Sequence, residues 1–158
     1  MNEAKRVVRP NAEQVARGLL AGFVAWLLPG AGHFMLGQRA RAAVFFVLVS
    51  ACIGLGLLYD GNLALHDKIR APWLSRLQVA SNLAMGPIEP VIRRSIYGEL
   101  IYSRVETGER PGPVAQEVRK QRFFKTWSGY GTAYFYLAGL MNILLILDAW
   151  DLSIGRRR

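Results

Sequence analysis

The sequence predicts an all-α integral membrane protein: a helical hairpin, a third transmembrane helix at the C-terminal end, and amphipathic helices between them. Three observations carry this. Apolar residues make up 52% of the chain, and they are bunched into uncharged blocks at 18–28, 42–59 and 130–147 instead of being spaced with soluble-helix periodicity. The basic residues, which set a net charge of +9, avoid those blocks. Between the first two blocks stands Pro29-Gly30-Ala31-Gly32. Proline lacks a donor and glycine tolerates positive φ, so this stretch stops a helix and reverses the chain.

In order, residues 1–12 read as a basic tail, with Asn11 placed to cap a helix from Ala12. Residues 13–59 read as the transmembrane hairpin. Its first run, 18–28, is too short alone to cross about 30 Å of hydrocarbon, which takes about 20 residues. Extension back through Val15 or forward to Leu36 supplies the length. A cleaved signal peptide is the rival reading of the basic start, but no small-x-small site follows Leu28. Gly18 and Gly22, and Ala21 and Ala25, repeat at the spacing that lets helices approach closely. The turn itself is expected to be built by Pro29, Gly30, Gly32, His33, Phe34 and Gly37. The second run, 42–59, is apolar except for Ser50, and Tyr59 suits a membrane interface. The lone Cys52 can form no disulfide within the chain and reads as a small packing residue.

Residues 60–128 change character. Pro72 can open a helix with Trp73, Leu77, Ala80 and Ala84 on one face and Arg76 and Asn82 directed elsewhere. After an interruption around Gly86, Pro87 and Pro90, Ile92, Ile96 and Leu100 recur at steps of four. These segments predict two helices lying on the membrane surface, with a re-entrant pair bent at 86–90 as the alternative. A loop near 107–113 precedes a basic juxtamembrane helix in which Arg119, Lys120, Arg122 and Lys125 stand beside Phe123, Phe124 and Trp127. That mixture suits anionic lipid headgroups, and no nucleic-acid motif accompanies it.

Residues 129–158 form the last transmembrane helix and a basic tail. Asn142 lies inside the apolar run, where its amide must find partners away from lipid. Asp148 marks the end of that run. With three crossings, Lys/Arg counts put the N-terminal segment and the 63–128 region in the cytoplasm, and Arg39, Arg41 and the arginines at 156–158 on the other side. His33 and Asp148, at the edges of their apolar runs, are expected to be separately solvated or bonded to backbone. If the first and third spans pack side by side, the topology also allows an imidazole–carboxylate contact between them, with a proton relay as a further alternative.

No catalytic constellation is present. Gly30-x-Gly32 lacks the third glycine and the preceding strand of a dinucleotide loop. HExxH, GxSxG and P-loop motifs are absent, and His33, His66 and Cys52 do not make a zinc set. No cofactor or metal is expected.

The stretch LPGAGHFMLGQ at 28–38 resembles the PGxGHFYLG-type turn of small, largely uncharacterised bacterial membrane proteins. It is similar, more distantly, to the two-transmembrane-helix domain family. AGLMNILLILDAWD near the C-terminal end resembles the close of the same proteins, although Met35 stands where they carry Tyr. The resemblance implies a bacterial cytoplasmic (inner) membrane location and a hairpin, and no activity. The expected function is a non-catalytic structural or accessory subunit that packs against a membrane-protein partner or its own copies and is anchored to anionic lipid. The alternative is a small oligomeric transporter or ion-conducting protein using His33, Asn142 and Asp148.

Overall fold

The computed structural model describes residues 11–63, 72–100 and 112–155. Residues 1–10, His66, residues 101–111, which hold most of the loop expected near 107–113, and the arginines at 156–158 lie outside them. Among the described residues there are only helices: α1 (Ala12–Leu27), α2 (Ala31–Met35), α3 (Arg39–Leu58), α4 (Pro72–Ala84), α5 (Ile88–Tyr97), α6 (Pro113–Phe123) and α7 (Ser128–Ser153).

The 26-residue α7, about 39 Å long at 1.5 Å per residue, is the axis of the fold. α3 lies antiparallel along it: Gly56 meets the Phe135 ring, and Gly61 meets the backbone of Gly131. These two helices are long and apolar enough to cross a membrane.

The expected hairpin over 13–59 takes a different form. α1 begins beside the C-terminal end of α7, where Gly18 faces Trp150 and Ser153, and passes Ile146 at Gly22. It stops at Leu27, level with the middle of α7. Pro29 cannot continue the ladder, and Gly30, at φ +85°, reverses the chain. A Cβ at Gly32 would collide with the carbonyl of Ala21, so α2 folds back tightly on α1. The chain thus returns to the end of α7 from which α1 started, and α3 begins there. α1 packs chiefly on α7 and α2, and α3 on α7 and α2. The Gly18, Ala21, Gly22 and Ala25 stripe is the buried face of α1.

α4 and α5 form a second bent pair, entering from the opposite end. Ser81 Oγ donates to the carbonyl of Tyr136 at 3.0 Å, and Asn142 Nδ2 to the carbonyl of Ala84 at 2.6 Å. The reversal at Gly86 (φ +73°) and Pro87 therefore sits at the middle of α7. α5 then leads back until the Tyr97 hydroxyl accepts from the Leu63 amide at 3.0 Å and bonds Asn62. Asn62 is in turn tied to Thr132, near the start of α7.

The faces of these two helices differ from the periodicity reading. On α4, Trp73 and Leu77 point outward, whereas Ser81, Asn82 and, from the expected apolar face, Ala84 are buried. On α5, Leu100 beyond its end is exposed and the buried stripe is Glu89, Ile92, Arg93 and Tyr97. The charged residues can be inside because Glu89 and Arg93, four apart on one helix, neutralise each other: Nε donates to Oε1 at 2.7 Å.

The whole molecule repeats this inversion. Leu19, Leu20, Phe23, Val44, Val47, Leu58, Leu144 and Leu147 face outward, while His33, Asn82, Glu89, Arg93 and Asn142 have no exposed surface. Only 28% of the apolar stretch of α3 and 33% of that of α7 is buried.

Candidate functional site

Two polar regions lie along α7. The first joins α2 to its last turns. The Gly-rich reversal carries His33 into the interior, where its Nε2 stands 3.0 Å from Asp148 Oδ2. An ionised carboxylate only accepts, so Nε2 carries the proton and donates. The edge of Phe45 packs on the ring, with centroids 5.0 Å apart. His33 Nδ1 is buried without a hydrogen-bond partner. Around it the other turn residues serve the backbone: Pro29 is buried, Gly37 has φ +79°, and Phe34 is exposed beneath the Arg39 guanidinium at 6.0 Å.

Asn142 is not part of that contact. It belongs to the second region, where the tips of the two bent pairs meet. A helix end leaves carbonyls without intrahelical partners, and burying them unpaired is costly. Here Trp26 Nε1 donates to the Leu83 carbonyl at 2.9 Å, and Asn142 Nδ2 takes that of Ala84. Gly86 presses so closely on the Trp26 carbonyl that a Cβ would fall 2.0 Å from its oxygen. One turn of α4 is thereby stitched to both α1 and α7. Asn142 Oδ1 and both amide atoms of Asn82 are buried without a hydrogen-bond partner.

Sequence reasoning missed Trp26, Asn82 and the Glu89–Arg93 pair. The Glu-x-x-x-Arg spacing was a usable signal, since four residues bring side chains together on a helix.

The basic residues expected to meet lipid are partly committed within the fold. Lys125 Nζ lies 2.6 Å from Asp60, and Arg122 donates to the Gly61 carbonyl at 3.1 Å. The Lys125 hydrogen bond holds the Asp60 carboxyl below its usual range against the opposing effect of desolvation, with Arg122 adding attraction. Asn62 donates to the Arg119 carbonyl at 3.5 Å, and Lys120 is exposed. Beside them Tyr59 stacks on Tyr134, and Trp127 leans on Tyr59 and Tyr130. No group of three or more His, Cys, Asp or Glu able to hold a metal exists among the described residues.

Among the described residues, fold and site together define an all-helical protein with two helices long and apolar enough to cross a membrane and buried polar side chains packed along α7. The chain belongs to DUF6677, a family of unknown function, which matches residues 20–158. No curated protein and no solved structure matches it.

Proposed function

We propose that this is an integral membrane protein, in a bacterial cytoplasmic membrane, that works as a non-catalytic structural or accessory subunit. The inverted burial carries the reading: large apolar side chains face outward along α1, α3 and α7, and small and polar ones fill the interior. In water such a surface would associate at once, whereas in lipid it costs nothing and small residues let helices approach closely. The aromatic residues agree. Tyr130 and Trp150, near the two ends of α7, are twenty positions apart, or about 30 Å, the thickness of the hydrocarbon they would bracket. An apolar groove of about 340 Å³ between α1 and α7, lined by Phe23, Trp26 and Trp150 among others, would open to lipid. On this placement α3 and α7 cross, and the α1–α2 and α4–α5 pairs each reach half depth from opposite sides. The third crossing expected from composition is replaced by a re-entrant α1. Lys120 and its neighbours on α6 meet anionic headgroups, and the partner is another membrane protein or a second copy of the chain.

Alkaline carbonate extraction tests the membrane claim. The protein is expected to stay in the pellet and to be released only by detergent, and release by carbonate alone would contradict it.

A second reading, an oligomeric transporter or ion-conducting protein, is favoured by one observation. Interrupted helices that meet at mid-depth, with buried polar groups at the break, are how many transporters build their sites. Two crossing helices enclose no pore alone, so this reading requires an oligomer. A protein that stays monomeric in mild detergent and in native-lipid nanodiscs would count against it.

A further inference from the structure

The oxygens at the meeting point of the two bent pairs have a chemistry of their own. The main-chain N–H groups of Met85 and Gly86 are used, on the carbonyls of Asn82 and Leu83. The Trp26 and Asn142 donors are also used. Because Asn142 Nδ2 sits 2.6 Å from the Ala84 carbonyl, the Oδ1 of the same planar amide stands at the end of α4. It is fully buried and accepts no bond. Asn82, in that same last turn, is also fully buried, with neither amide atom bonded. The Trp26 carbonyl, in the last turn of α1, borders the same turn through Gly86.

From this geometry we infer a binding site for a monovalent cation of sodium's kind, held by Asn142 Oδ1, Asn82 Oδ1 and main-chain carbonyls where the ends of α1 and α4 meet. Such donors are neutral oxygens, which suit an alkali cation. A divalent cation would demand carboxylates, and the acidic residues nearest in sequence, Asp148 and Glu89, are engaged with His33 and Arg93. The carbonyl end of a helix also carries partial negative charge, and two such ends meet here. Occupancy would offset the cost of burying the two unbonded amide oxygens. The inference draws on the membrane reading only for the surroundings of the site.

The test is thermal unfolding of the full chain in mild detergent, titrated with sodium chloride while choline chloride holds ionic strength constant. A ligand that binds only the folded state raises the unfolding temperature. At about tenfold above Kd the rise should be about 3–6 °C for a chain of this size. Asn142→Ala should abolish the sodium response. Asn82→Ala, which removes no hydrogen bond seen in the structure, should fold normally and show a response reduced at least severalfold. Identical unfolding temperatures in sodium and choline would overturn the inference and leave a buried water as the occupant. A full response retained in Asn82→Ala would overturn it as well, even if Asn142→Ala failed to fold. Carbonate extraction is independent of both results, so failure of the cation site and failure of the membrane reading are distinguishable.

Discussion

His33 and Asp148 are 115 positions apart in the chain, and their contact ties the short α2 to the last turns of α7. Only a chain that turns back at Gly30 can bring them together, so the contact reports on the reversal as well as on itself. In a double-mutant cycle with His33→Ala and Asp148→Asn, the two changes should be non-additive by about 0.5–3 kcal/mol in detergent unfolding. Additivity within a few tenths would mean that the residues do not act on each other. Gly86 makes a second residue-scale case, because its conformation and its surroundings can be separated. Gly86 and Gly98 share φ +73°, but a Cβ at Gly86 would strike the Trp26 carbonyl, whereas one at Gly98 would meet nothing within 4 Å. Gly98→Ala should therefore cost about 1 kcal/mol, the left-handed penalty alone, and Gly86→Ala at least twice that. Equal losses in unfolding experiments would show that the tips of the bent pairs are not pressed together.

At the scale of the element, α5 is the clearest departure from what its sequence suggests. Ile92, Ile96 and Leu100, four apart, marked one apolar face; Ile92 is indeed inside, but so are Glu89, Arg93 and Tyr97. Periodicity measures how apolar a face is, and it cannot register that two charges on one face cancel. The buried pair has a testable consequence. Breaking a buried ion pair by removing one partner costs about 3–5 kcal/mol, whereas replacing both with apolar residues is often nearly neutral. Glu89→Leu should destabilise strongly, and Glu89→Leu combined with Arg93→Met should recover most of the loss. If the double variant is as unstable as the single one, the pair does more than neutralise itself. On α4, Trp73, Leu77 and Ala84 share a face by spacing, but Trp73 and Leu77 turn outward whereas Ala84 and the polar Asn82 are buried.

Across the whole molecule, the helical class, the Gly-rich reversal at Pro29 and Gly30 and the two long apolar helices were legible in the sequence, because each depends on local chemistry. The depth to which α1 runs was not, and for α4 the bend at 86–90 offered a re-entrant pair only as the alternative, since depth is set by contacts such as Trp26 with Leu83 and Asn142 with Ala84, between residues 57 and 58 positions apart. That difference alters the topology. Three crossings place Asn11 and Gln38 on opposite sides of the membrane. A re-entrant α1 places them on one side, together with the end of α7, and leaves Lys120 on the other. Cysteine labelling in intact cells and inverted vesicles measures this directly, because replacing the lone Cys52 with serine gives a blank background. Single cysteines at positions 11, 38, 120 and 155 would be probed with a membrane-impermeant maleimide. Positions 11, 38 and 155 should label from one side and position 120 from the other. Labelling of positions 11 and 38 from opposite sides would contradict it.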